Sequence, residues 1–222
     1  NYKYSDATNI YADLQRRRID YVFSGYDEDG NAAEQAVVLA FFNPKFGLFH
    51  MLNDNQAIYA SFAVANKEPN RNDYAESTPN SRPKHEILYD TEIGYKQSGE
   101  KISLGINLYH MNYKNQLVLT GQINDVGANT RTNIDESFRR GVELEGSFSF
   151  GRKIKWVGNI TLSQNKIKNY TAYIDNWDNG GQDEVDYKNT NLAFSPSIIW
   201  ATNINYKLGN NTSIDFISKY VG

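Results

Sequence analysis

The chain has 222 residues, with 23 Lys+Arg against 26 Asp+Glu and a formal charge of −3. Neither sign dominates, which excludes a polybasic nucleic-acid binder and an acidic disordered tail. Hydrophobic residues make up 40 % and aromatics 14 %; disordered chains are poor in aromatics, so an ordered chain is expected.

Cys is absent, which removes disulfides, thiolate metal sites and Cys nucleophiles together, and 3 His with 2 Met leave little for metal or acid–base chemistry. No window approaches the run of about 18 apolar residues of a membrane helix, and the opening residues read as a polar stretch rather than a signal peptide. Mean hydropathy is −0.64. A membrane β-barrel remains compatible with that value, because strands that alternate apolar and polar average to a polar score.

Along the chain, spacing of period two recurs where helical spacing is hard to find. Segments 7–24, 34–51 and 57–65 alternate loosely. Ile87, Tyr89, Thr91, Ile93 and Tyr95 face away from Asp90, Glu92, Gly94 and Lys96. Next, Ile102, Leu104, Ile106 and Leu108 alternate with Ser103, Gly105, Asn107 and Tyr109. The clearest case is 142–150, with Val142, Leu144, Gly146, Phe148 and Phe150 on one parity and Glu143, Glu145, Ser147 and Ser149 on the other. Trp156, Ile160 and Leu162 follow, then Ile198, Trp200, Thr202, Ile204 and Tyr206, and a looser stretch at 212–222. The count is about nine strands, each with one greasy and one polar face.

Connections predict more than the strands do. Long stretches at 26–33, 66–84, 121–136 and 169–195 alternate with tight turns at Asn53-Asp54-Asn55, Gln97-Ser98-Gly99-Glu100, Gly151-Arg152-Lys153 and Gly209-Asn210-Asn211. All short turns therefore fall at one end of the sheet, the asymmetry of an outer-membrane barrel. Within the first long stretch, Asp27-Glu28-Asp29-Gly30-Asn31 is turn chemistry. On the apolar parity Tyr95, Phe150, Trp156 and Tyr206 lie near short turns, and Tyr89, Phe138 and Trp200 lie toward the long connections, as two aromatic belts would. Between them run about nine residues, close to the 9–11 of a tilted spanning strand.

The expected fold is an all-β, antiparallel up-and-down transmembrane β-barrel. It is present as an incomplete segment of about nine strands, since the chain starts and stops inside strand patterns and an even, closed set is the bacterial rule.

Several runs carry a family resemblance. They are Asn43-Pro44-Lys45-Phe46-Gly47-Leu48, Tyr59-Ala60-Ser61-Phe62, Glu68-Pro69-Asn70-Arg71-Asn72-Asp73-Tyr74, Glu92-Ile93-Gly94-Tyr95-Lys96, Asn107-Leu108-Tyr109 and Arg140-Gly141-Val142-Glu143-Leu144-Glu145. In that order they resemble the barrel of TonB-dependent outer-membrane receptors. Ala12-Asp13-Leu14-Gln15-Arg16-Arg17 and Ala193-Phe194-Ser195-Pro196-Ser197 resemble Bacteroidetes-type versions. The resemblance implies that residues 1–222 are part of a barrel of about 22 strands, with the plug domain and last strands absent. It also implies a parent that imports a scarce nutrient such as an iron–siderophore, haem or cobalamin. The implied partners are outer-membrane lipid, the TonB complex through the parent's plug, and the nutrient itself; no cofactor and no nucleic acid are implied.

Candidate site residues fall in two sets. Asp90, Glu92, Glu143 and Glu145 read as a polar lumen wall meeting the plug or a passing solute, or as a plainly solvated face. Arg71, Asn72 and Tyr74, with Tyr170, Tyr173, Trp177 and Tyr187, sit on long connections and read as ligand contacts, because loops on a rigid scaffold often carry recognition. The acidic stretch 175–187 could hold Ca²⁺ but lacks EF-hand spacing. His50, His85 and His110 lack metal-ligand spacing, and no catalytic residue is assigned. Two other readings stay open: a soluble antiparallel ligand-binding barrel, lipocalin-like, with its apolar face enclosed, and an outer-membrane barrel hydrolase using His85 or His110.

Overall fold

The computed structural model describes residues 1–26, 30, 32–78, 80–124, 127, 129–209 and 211–222. Eleven strands and one short helix follow in chain order: β1 (Tyr2–Lys3), β2 (Thr8–Tyr26), β3 (Ala32–Asn53), β4 (Gln56–Lys67), α1 (Arg71–Ala75), β5 (Glu86–Gln97), β6 (Ile102–Ile123), β7 (Asn129–Phe150), β8 (Ile154–Asn176), β9 (Gly181–Asn191), β10 (Ile198–Lys207) and β11 (Ser213–Val221). Every pairing is antiparallel, and the strands follow one another in the sheet except that β10 pairs β8 directly while β9 pairs only the outer half of β8. Nine strands match the sequence reading; the two-residue β1 and the hairpin strand β9 are additional.

Tight turns join β3 to β4, β5 to β6 and β7 to β8 at one end, as expected. The opposite end departs from expectation. Stretches 121–136 and 169–195, expected as loops, are largely strand: β6 runs to Ile123, β7 starts at Asn129, and β8 continues to Asn176 before β9 returns beside it. Alternation is lost in the opening of β7 and along β9, where polar residues stand on both parities, so the period-two signal fades there while the ladder persists. The β4–β5 connection is a true loop containing α1. Asp27, Glu28, Asp29 and Asn31 of the first connection, and Asn210 of the last turn, lie outside the described residues.

Registered pairing divides the sheet into two chemistries. Ile10, Leu48, Ala60, Ile93, Leu108, Val142, Leu162 and Ile198 form one unbroken aliphatic row across eight strands. One residue along, the row Asn9, Phe49, Tyr59, Gly94, Asn107, Glu143, Thr161 and Ile199 belongs to the other face. The aliphatic face is not folded away. Ile93 is 56 % exposed and Leu108 53 %, and the molecule presents 14936 Å², against roughly 10,000 Å² for a compact monomer of this mass.

Buried apolar side chains gather only beyond the long-connection end of that row. There Ile134, Ile167 and Leu192 form a small core with Val118 and Tyr170 against it. An enclosed apolar interior of the lipocalin kind is therefore not formed among the described residues.

Candidate functional site

Asp90, Glu92, Glu143 and Glu145 occupy the polar face, on β5 and β7, the two strands that flank β6. Two glycines make room for the side chains between them. Gly94 accepts the Tyr59 ring flat across it, where a Cβ would stand 2.1 Å from Cζ, and Gly105 does the same for the stem of Glu145. Tyr59 Oη then donates to Asn107 Oδ1 at 3.1 Å, while Asn107 Nδ2 donates to Glu92 Oε2 at 3.2 Å and Glu143 Oε2 at 3.4 Å. One asparagine on β6 thus holds a carboxylate from the strand on either side. Lys96 Nζ lies 5.6 Å from the Tyr59 ring centroid, and Tyr59, Lys96, Glu143, Glu145 and Thr161 line a shallow recess. Asp90 Oδ1 and Arg139 Nε nearby have no hydrogen-bond partner. The arrangement can accept a cationic surface.

The second set lies at the long-connection end. Asn70 caps α1, accepting from the Asp73 N–H at 3.2 Å while Asp73 accepts from the Asn70 N–H at 2.8 Å. That reciprocal box is written in the sequence as Asn70-x-x-Asp73. The helix is then strapped across the polar face. Asp73, 5 % exposed, takes a bidentate grip from Arg131 on β7, and this hydrogen bonding raises the Arg131 pKa. Gln35 on β3 donates to the carbonyls of Tyr74 and Ser77 and accepts from Arg82 Nε at 2.8 Å. Arg131, Gln35 and Arg82 were missed in the sequence because their partners are roughly 40–60 residues away, where no local pattern reaches.

Of the candidates here, Arg71 and Asn72 are exposed. Tyr74 is buried, its ring 5.7 Å from that of Tyr21 and its phenol pKa raised by burial. Beneath α1 a cavity of about 470 Å³ is lined by Arg17, Tyr21, Leu39, Glu68, Arg71 and Tyr74. Arg17 pairs with Glu68 and sits 5.1 Å from the Phe41 ring centroid.

Tyr170, Tyr173, Trp177 and Tyr187 form a separate group on the β8–β9 hairpin. Tyr170 packs on the small core and donates to the Leu119 carbonyl at 3.0 Å. Tyr187 lies beside it at 6.4 Å, and Trp177 is 90 % exposed at the hairpin tip. Between the two groups stands the β6–β7 hairpin, which holds α1 through Arg131 and β9 through Gln182, whose amide bridges Ile123 N and Gly121 O at 3.0 and 2.8 Å.

Three of the five carboxylates of 175–187 are turned to their own hairpin: Asp175 accepts from Gln182, Asp183 from Asn176 and Asp186 from Thr171. The three histidines are far apart in the sheet. His50 meets Thr8 at 2.8 Å, the His85 ring lies tilted against Phe41 at 5.1 Å, and His110 is exposed on the aliphatic parity. No cluster of three potential metal ligands occurs among the described residues.

The family model described as "TonB dependent receptor-like, beta-barrel" matches residues 1–219. Solved structures agree in fold. A ferric-catecholate import receptor of E. coli K12, Fiu, superposes with TM-score 0.69 at 16 % identity over 99 % of this chain and 32 % of its own. The ferric yersiniabactin uptake receptor FyuA of Yersinia pestis gives 0.71 at 14 % identity, covering 99 % and 32 %. The FrpB iron transporter of Neisseria meningitidis gives 0.68 at 17 %, covering 98 % and 31 %. The chain thus spans about a third of each of these proteins. No curated protein sequence matches it. The match over 1–219 means that the chain belongs to the TonB-dependent receptor β-barrel family, found in the Gram-negative outer membrane.

Proposed function

We propose that this member of the TonB-dependent receptor family is a wall segment of an outer-membrane transporter that binds and imports a scarce nutrient, such as an iron–siderophore, haem or cobalamin. The carrying observation is the eight-strand aliphatic row with a polar row one residue away. A sheet open to water on both sides gains nothing from such a division. A sheet between lipid and a wet lumen requires it, with every backbone group paired in the ladder.

In this reading the linked carboxylates Glu92 and Glu143, with Glu145 and Asp90, face the plug of the full-length receptor, which moves when TonB pulls on it. Ligand is taken at the outer end. The cavity beneath α1 offers Arg17, Arg71 and apolar walls, suited to an anionic chelate with a greasy body, and the β8–β9 hairpin offers Trp177 and Tyr187. Ferric-catecholate and ferric yersiniabactin receptors among the structural matches support the chelate class.

The test is a thermal-shift screen of the full-length receptor against ferric chelates, haem and cobalamin, repeated after deletion of 170–187 and after Arg71→Ala. One class should raise Tm in the intact receptor and lose affinity in both variants. A receptor stabilised by none of them would overturn the nutrient reading, and unchanged affinity in the variants would remove these contacts.

A further inference from the structure

The cavity beneath α1 is bounded by charges that do not balance. Arg17, Lys67 and Arg71 line it, with Glu68 as the one carboxylate among its lining residues. Lys67 is shared with Glu86 at 3.5 Å. Arg71 forms no ion pair with any described carboxylate. Arg17 meets Glu68 through Nη2, while its buried Nε–H has no hydrogen-bond partner among the described residues. The edge of that guanidinium which can grip a carboxylate at two nitrogens is therefore half used.

Tyr74 brings a second unpaired donor. It is 3 % exposed, and its hydroxyl has no hydrogen-bond partner among the described residues either. Burial raises the pKa of the phenol, which therefore keeps its proton at neutral pH. Arg71 stands three residues earlier in α1, on the same helical face. Elsewhere the wall is apolar, with Ile19, Leu39 and the Tyr21 ring, 5.7 Å from that of Tyr74. Buried donors without partners are rare and costly, and acceptor oxygens bound in this cavity would relieve both.

We propose that this cavity selects solutes carrying a free carboxylate on an apolar body, with Arg17 and Tyr74 as its fixed donors and Arg71 as the cation that draws the acid in. Glu68 favours a carboxylate over other anions. Its own carboxylate already rests on the Arg17 guanidinium, so the fold itself seats that group there. A planar guanidinium takes a carboxylate at two nitrogens, and the solute's acid takes the edge that Glu68 fills at one nitrogen only. Haem and ferric polycarboxylate chelates answer that description; cobalamin and catecholate chelates do not.

The proposal rests on the nutrient-import reading, so its test separates the two. Full-length receptor in neutral detergent is titrated calorimetrically with haem, haem dimethyl ester, a ferric tricarboxylate chelate, a ferric catecholate and cobalamin. Only haem and the tricarboxylate present free carboxylates, and one of them should bind at least about tenfold tighter than any of the other three. Tyr74→Phe keeps the ring and should weaken that probe about tenfold. Arg17→Gln/Glu68→Gln removes the ion pair without stranding a charge and should weaken it more. Unboiled gel migration confirms barrel assembly of each variant. Tightest binding of cobalamin, the catecholate or the ester, or both variants binding as the parent does, would overturn the carboxylate proposal and leave the nutrient reading standing. A receptor that binds none of the five would strike the nutrient reading and the proposal with it.

Discussion

The wall and the outer extension are built from the same strands yet obey different rules. Between the short turns and Val142, β6, β7 and β8 keep one face aliphatic and exposed and the other polar, and almost nothing is buried. Past Ser137 the β7–β8 ladder ends. There β8 turns to β9, and Ile134, Ile167 and Leu192 meet in a core drawn from both parities. In the first region the two faces keep separate chemistries with little burial; in the second, the chain packs its apolar side chains against itself, as any water-soluble hairpin pair does. The two regions should therefore respond unequally to the same substitution. Leu144→Arg in the wall should cost about 2–4 kcal/mol of barrel stability in lipid, visible as loss of the unboiled, fast-migrating form. Leu119→Arg in the extension, already 66 % exposed, should cost under about 0.5 kcal/mol. Equal effects would mean that both regions face the same medium.

That contrast also explains what could be read in advance. Val142-Glu143-Leu144-Glu145 announces its two faces because apolar and charged residues hold strict parities, so the nine main strands and their two faces were legible, while β1 and β9 were not. The continuation of β8 to Asn176 was not either, although Tyr170, Ala172 and Ile174 alternate with Asn169, Thr171 and Tyr173; the acidic, glycine-bearing stretch that follows made the whole of 169–195 read as one loop. Tyr170 looked like a ligand edge by composition, yet its phenol is spent on the Leu119 carbonyl. The strap over the polar face was half legible: Asn70-x-x-Asp73 declares a helix start, but nothing near it names Arg131.

Within the extension, the strap should depend on that long-range pair more than on any local feature. Asp73→Ala removes the α1 box and strands the Arg131 guanidinium, which is 27 % exposed and can partly rehydrate. The expected cost is about 2–3 kcal/mol, confined to the loop. Hydrogen exchange across 68–85 should rise about thirtyfold or more while β5–β7 of the wall stay protected. If the wall loosened together with the loop, the two regions would be one cooperative unit. Tyr170→Phe is the milder version on the other side of the β6–β7 hairpin. It removes one hydrogen bond, worth about 1 kcal/mol, and should raise exchange in 166–176 without moving 68–85.

The smallest effect expected is also the one that acidity can switch. His85 precedes β5, its ring tilted against Phe41, and burial lowers its pKa. Above about pH 6.5 the ring is neutral whether the loop is docked or released, so it adds no pH dependence. As pH falls through that value the released loop takes up the proton first, and docking weakens until the lowered pKa is passed. Exchange across 80–86 should then be faster at pH 5.5 than at pH 7.5, with the wall unchanged, and His85→Phe should flatten that difference. A profile identical in the variant would assign the acid response to another group on the strap.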